Sequence, residues 1–250
     1  MNALSAVLYR ESKIRATNVT FIFFDLFYPL CYMMIFGVGI NAALGAPVSA
    51  PGVDYNAFFL AGVLGMASFG IASNTAWTFF MDRDNGIFYE MLIYPMNRSE
   101  YLFGKVLFNL FVTLVQSVLT VGIAGAALHV PLRADLVPLL FLAVAGGTVG
   151  WFFFYSIFAL SIRRNDTFNA VTSIFYFVFL FASSMFYPLE PLPRWLRLAA
   201  MANPITWQVD VLRYASIGVG SPQRIAVEAV AFAAFTAVSF VLAIRALRQQ

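Results

Sequence analysis

The sequence predicts an all-α membrane protein. Six transmembrane helices are expected, with an N-terminal interfacial helix and a re-entrant or interfacial helical hairpin between spans five and six. Three observations carry this. The 250 residues are 61% hydrophobic and 11% charged, with 28 Phe, whereas an ordinary soluble domain carries roughly a quarter charged residues. Six segments, near 19–41, 56–80, 102–128, 137–161, 167–187 and 224–245, are apolar over about the 20 residues a helix needs to cross hydrocarbon. Backbone groups in lipid must pair internally, and the period-2 alternation of a barrel is absent, so each segment reads as a helix. The third observation is the placement of Lys and Arg. With the N-terminus cytoplasmic, Arg10, Lys13, Arg15, Arg83, Arg98, Lys105, Arg163, Arg164, Arg245 and Arg248 lie inside, ten of the fifteen in the chain. The short outer loops, 42–55 and 129–136, hold a single Arg. Both termini are then cytoplasmic.

The first 18 residues show no pattern of a cleaved leader, because their positive residues follow the short apolar run. The chain is expected to enter the membrane through its first span. Leu4, Val7, Leu8 and Ile14 suit lipid, and Arg10, Lys13 and Arg15 suit headgroups, which predicts an interfacial helix over 1–18. Asp25 falls in the first span. An intramembrane carboxylate is costly and faces protein or water, or sits close to the headgroups; both readings are open.

Between spans two and three, residues 81–101 form a charged cytoplasmic loop, "MDRDNGIFYEMLIYPMNRSEY". Phe88, Met91 and Leu92 share a helical face, Asp82, Asp84 and Glu90 supply acidic character, and Pro95 ends the helix. The segment reads either as a solvated surface helix or as a docking element for a soluble partner. Within the spans, Asn74, Gln116, Ser117, Thr148 and Asn169 are expected as interhelical hydrogen bonders. Gly146 with Gly150, and Ala61 with Gly65, have the spacing of close helix approach. The aromatic runs 151–158 and 174–181 are read as lipid-facing or as lining a greasy path.

Beyond span five, Pro188, Pro191 and Pro193 stop the helix, and Asn203-Pro204 breaks the chain again. The two pieces within 188–217 are each too short to cross, so they enter and leave on the outer side. Trp195, Trp207 and Tyr214 suit interfacial depth. Arg194, Arg197 and Arg213 are read as meeting lipid phosphates or an anionic cargo. Near the start of the last span, Glu228 is spaced to pair with Arg224.

Other chemistries find little support. One Cys and one His leave no disulfide framework, no metal site and no Ser/His or Cys/His nucleophile. There is no phosphate-binding GxxxxGK[ST] loop, so no ATPase of its own is expected. No basic face tracks phosphates, which argues against nucleic acid.

The stretch from Phe168-Asn169 through Tyr187-Pro188, Leu192-Pro193, Pro204-Ile205-Thr206 and Val209-Asp210-Val211-Leu212-Arg213 resembles the C-terminal pattern of ABC-2 type transporter permeases. Where that family often has Ser-Gly, this chain has Ser183-Ser184. Asp82-Arg83-Asp84, Gly86, Glu90, Pro95, Arg98 and Gly104-Lys105 resemble the family's coupling segment. The resemblance implies a single permease domain over 1–250, in a bacterial cytoplasmic (inner) membrane. It implies a homodimer or pseudo-dimer with two ABC ATP-binding subunits, which carry ATP and Mg, and no cofactor in this chain. It implies coupling to the ATPase through Asp82, Arg83, Asp84, Gly86, Phe88, Glu90 and Met91. Trp195, Arg197, Trp207, Asp210 and Arg213 become candidates for a substrate path or outer gate. The expected cargo is amphipathic or lipid-linked: a glycolipid, glycan or hydrophobic drug. The alternative is an ATP-independent channel or scaffold.

Overall fold

The protein is described by a computed structural model covering residues 3–44, 53–93 and 96–249. Ten helices organise them, and no strand occurs among the described residues. They are α1 (Ala3–Thr17), α2 (Val19–Ala43), α3 (Tyr55–Asp84), α4 (Ile87–Ile93), α5 (Arg98–Ala126), α6 (Val137–Ser161), α7 (Asn165–Phe181), α8 (Arg194–Met201), α9 (Pro204–Ile217) and α10 (Pro222–Arg248). Five of these, α2, α3, α5, α10 and α6 with the short 3-10 turn before it, are long and apolar enough to cross a membrane.

Local chemistry sets the boundaries. The Asn18 side chain accepts from the Thr20 N–H and opens α2, and Asp54 does the same for α3 through Ala57. Pro204 and Pro222 sit in the first turns of α9 and α10, where a missing N–H costs nothing. In α2, Pro29 removes an intrahelical donor, and the ladder widens to a π turn over Phe23–Phe27 just before it.

The long helix α3 is the axis of the bundle. It packs against α5, α6 and α9, and nearly every residue from Tyr55 to Ala72 is buried. A helix apolar all round needs apolar surroundings, and along this stretch of α3 protein supplies them. The outer helices differ: Phe23, Phe27 and Ile35 on α2, Phe111 on α5, and Val227 and Val230 on α10 face outward. So broad an apolar surface calls for lipid. An aromatic cluster binds α3 to α6 and α7, with Phe69 edge-on to Trp151 at 4.6 Å and stacked on Tyr176 at 5.0 Å.

Several expectations need correction. The loop expected over 81–101 carries the short helix expected within it, as α4, but is itself shorter, because α3 runs on through Asp84 and α5 starts at Arg98. The fifth apolar segment, 167–187, yields a helix that stops at Phe181, well before the prolines. Its open carbonyls explain why: the Asn203 amide donates to Phe179 O at 2.8 Å and Ala182 O at 2.6 Å, so a side chain from the α8–α9 junction caps α7. In 151–158, Trp151, Phe152, Phe153 and Tyr155 are core, not lipid-facing. In 174–181, Ile174, Phe177, Val178 and Phe181 do face outward. Pro95, the Leu92 side chain and most of the 42–55 loop lie outside the described residues.

Candidate functional site

The ends of α3, α6 and α10 come together with α4 around a polar recess lined by Arg83, Asp84, Tyr89, Arg163 and Gln249. Gly86, at φ +78, takes a backbone shape that L side chains resist, and turns the chain from α3 into α4. Phe88 plugs α4 into the bundle against Phe79 and Tyr101, at 5.8 and 5.2 Å between rings. Met91 is half-buried beside it. The other face of α4 presents Tyr89 and Glu90, with Ile93 at 85% exposure, and Asp84 is exposed at the end of α3. Arg83 folds inward, donating to the Ile162 carbonyl at the end of α6 and lying 5.3 Å from the Phe80 ring.

Asp82 is not part of that outward surface. It is buried in a joint between α1, α3 and α5 whose centre is Lys105. The fully buried Lys105 ammonium lies 2.7 Å from Glu11 Oε1, 2.9 Å from Asp82 Oδ2 and 3.3 Å from Thr78 Oγ1. Arg10 Nη1 donates to Asp82 Oδ2 at 2.9 Å, and the Tyr101 hydroxyl donates to the same carboxylate. Burial opposes the charge on Arg10, but the bonded Asp82 more than offsets it and raises the guanidinium above its ordinary value.

One helical turn along α1, Arg15 makes a second joint. It pairs with Asp25 of α2, donates to Thr75 Oγ1 of α3 at 2.8 Å, and lies 4.6 Å from the Phe21 ring. Asn74 donates to the other Asp25 oxygen at 2.8 Å, and Thr75 donates to Asn109 of α5 at 3.2 Å. Asp25 is thus enclosed by protein and matched by a cation. Three cations, Arg10, Arg15 and Lys105, meet three carboxylates, Glu11, Asp25 and Asp82. The face that α1 turns to the bundle is Val7, Glu11 and Arg15, one stripe at i, i+4 spacing.

Glu11 was missed as a site residue by sequence reasoning, and Lys105 was noticed only as one of the inside cations and within the family-like segment. The usable signal for Lys105 was a charge in an apolar run, whereas Glu11, between Arg10 and Lys13, offered none. Of the expected interhelical bonders, Asn74 serves as one. Gln116, Thr148 and Asn169 bond within their own helices, to Thr120, the Val144 carbonyl and Asn165.

At the opposite end, Asp210 of α9 is the hub. Arg213 Nη1 meets it at 2.6 Å, Arg224 Nη2 at 3.0 Å and the Ser184 hydroxyl at 2.7 Å. Arg224 also pairs with Glu228 at 2.7 Å, as their spacing predicted. Arg213 is not free for lipid or cargo: it is buried, donates to the Ser184 carbonyl at 2.7 Å, and stacks 4.0 Å from the Phe58 ring. A polar cavity of about 230 Å³ sits here, lined by Glu190, Asp210, Arg213 and Arg224. Trp195, 71% exposed, lies on the outward side of α8. Arg197 folds onto the Glu190 and Leu192 carbonyls, and the Trp207 indole donates to the Met201 carbonyl at 2.7 Å. The structure therefore brings Asp210 and Arg213 together, and leaves the other three candidates outside that hub.

The family profile described as ABC-2 type transporter matches residues 2–217. A curated protein of Porphyra purpurea, "Putative transport permease ycf38", is 26% identical over 189 residues, covering 74% of this chain and 64% of that protein. Its counterpart in Cyanophora paradoxa is 27% identical over 192 residues, with the same shares. "Probable multidrug ABC transporter permease YbhR" of Escherichia coli (strain K12) is 24% identical over 164 residues, 65% of this chain and 44% of that protein. The match thus spans less than two thirds of these relatives' length.

Proposed function

We propose, from the premise that this chain belongs to the ABC-2 type transporter family, that it is the membrane permease of an ATP-driven exporter. The observation that carries the proposal is the shape of α4. It is a short helix anchored by Phe88, offering Ile93, Tyr89, Glu90 and the adjacent Asp84 outward at one end of the bundle. An apolar knob beside carboxylates suits a soluble protein partner, and the family points to an ABC ATP-binding subunit.

In this reading α7 completes a set of six spans, although its 17 residues reach only about 26 Å at 1.5 Å per residue. Both termini and α4 face the cytoplasm of a bacterial inner membrane. The helix α1 lies at the inner interface, and α8 with α9 forms the re-entrant hairpin on the outer side. Two permease copies and two ATP-binding subunits make the working complex. ATP and Mg sit on the motor, whose differential affinity for two states of the permease supplies the work. The cargo is amphipathic or lipid-linked, in keeping with the apolar surfaces of α2 and α7.

Within this scheme the coupling residues divide into two groups. Asp84, Glu90 and Ile93 contact the motor. Asp82, Arg83, Phe88 and Met91 hold α4 and the end of α3 in place, and Gly86 permits the turn between them.

The test is gentle purification of the tagged chain from its native membrane, with mass spectrometry of what accompanies it. A stoichiometric ATP-binding subunit, lost in Asp84→Lys/Glu90→Lys while the permease stays folded, is the expected result. A chain that purifies alone under several mild conditions overturns the exporter reading in favour of a channel or scaffold.

A further inference from the structure

Between α6 and α10, away from both joints and from the Asp210 hub, lies an open groove of about 630 Å³. That is within the roughly 300–1,000 Å³ of ligand pockets. Leu110, Ala143, Gly146, Phe153, Ala233 and Phe240 are among its walls. Small residues on both helices keep it open. Among the described residues, two polar side chains line it, Thr236 and Gln208, and the Thr236 hydroxyl already donates to the Phe232 carbonyl at 2.9 Å.

Gln208 is different. It is 3% exposed, and its oxygen accepts from the Trp151 indole at 2.6 Å. An indole N–H can only donate, so the amide orientation is fixed: oxygen to Trp151, nitrogen away from it. That nitrogen, Nε2, has no hydrogen-bond partner. It lies against Gly147, where a Cβ would collide with it. A buried amide donor left unpaired is costly in an apolar setting.

We propose that this groove binds an acyl chain of a bilayer phospholipid, whose ester carbonyl accepts the hydrogen bond from Gln208 Nε2. The site asks for an apolar body carrying an acceptor and no donor. Bare hydrocarbon leaves Nε2 unpaired. A protein segment brings a row of backbone N–H groups, to which the lining side chains offer no more than the Thr236 and Gln208 oxygens. The same two helices expose Leu142, Val227, Val230 and Val238, an apolar surface at which the acyl chains of such lipids are at hand.

Trp151 is a built-in reporter. The other tryptophans are replaced by Phe (W77F, W195F, W207F), and the protein is reconstituted in phosphatidylcholine vesicles with ordinary or brominated acyl chains. Bromine in the groove is expected to quench Trp151 emission by more than half. Ala233→Phe, which fills the groove, is expected to abolish the quenching. Should that variant not fold, Ala143→Phe fills the groove from α6 and is read the same way. In vesicles whose host lipid is ether-linked, and so lacks the carbonyl, Gln208→Leu keeps the space but removes the donor, and should raise about fivefold the ratio of brominated ester lipid to host lipid needed for half-quenching, the equivalent of ~1 kcal/mol.

Absence of quenching in the parent, or equal quenching in the filled variant, overturns the site. An unchanged half-quenching ratio in Gln208→Leu overturns the carbonyl bond. The inference requires α6 and α10 to lie in a bilayer but needs no motor. Quenching in a chain that purifies without an ATP-binding subunit supports this site and rejects only the exporter reading.

Discussion

Lys105→Met should loosen the junction of α1, α3 and α5. The ammonium makes two charge-assisted hydrogen bonds, at 2.7 Å to Glu11 and 3.3 Å to Thr78, and an ion pair at 2.9 Å to Asp82. Charge-assisted bonds contribute about 1.5–3 kcal/mol each, so the loss amounts to about 3–6 kcal/mol. The cost of breaking a buried pair, about 3–5 kcal/mol, agrees. The variant leaves two buried carboxylates with Arg10 as the one remaining cation of this joint. Adding Glu11→Gln restores neutrality, because Arg10 then faces Asp82 alone. The double variant should therefore be more stable than the sum of the two single losses by about 0.5–3 kcal/mol. SDS-induced unfolding in mixed micelles, followed by tryptophan fluorescence, measures the cycle, with tryptic release of α1 as a local readout. Additivity within about 0.5 kcal/mol, or a Lys105→Met variant as stable as the parent, would refute the reasoning.

The second joint should behave alike: Asp25→Asn and Arg15→Met each lower the unfolding midpoint, and the pair together lowers it less than their sum. Asp82→Lys should release α1 to protease and lower stability, whereas Glu90→Lys should leave the midpoint unchanged and reduce retention of the ATP-binding subunit in co-purification. Gly62→Ala and Gly146→Ala should act in opposite directions. A Cβ at Gly62 would lie 2.5 Å from the Met185 carbonyl oxygen, while one at Gly146 meets nothing within 4 Å. The first should cost about 1–3 kcal/mol, and the second should gain up to about 1 kcal/mol from helix propensity, both read as thermal midpoints in detergent.

The apolar segments near 19–41, 56–80, 102–128, 137–161 and 224–245 were readable in the chain, because hydrocarbon imposes a length and a composition that few other settings demand. The exact end of α7 was not, since it depends on Asn203, a residue more than twenty positions away that caps it through space. Charge misled for a related reason. Asp82 and Arg213 read as exposed functional groups because an unpaired charge belongs at a surface, yet each is bonded to a distant partner that no local pattern reveals. Glu11 was overlooked because an amphipathic reading of α1 sends its charges to water or headgroups. The bundle instead accepts a charged stripe whose counter-ions lie on α2, α3 and α5. Aromatic residues carry a similar ambiguity: the runs at 151–158 and 174–181 are equally greasy, but the first is largely core, while the second turns Ile174, Phe177, Val178 and Phe181 outward and packs Tyr176 inward. Hydropathy does not separate oil-like protein from oil.

The joints of α1 also impose an order on biogenesis. Glu11 and Lys105 are 94 residues apart in the chain, and at about 5–20 residues per second a ribosome makes the glutamate about 5–20 s before the lysine that neutralises it. Asp82 and Asp25 likewise emerge later than Arg10 and Arg15. During that interval α1 carries its charged stripe with no counterpart to bury it, and the membrane surface is where such a segment can wait. Docking of α1 is then the step that records the arrival of α3 and α5, and a nascent chain stalled before Lys105 should display α1 to protease while a longer one hides it.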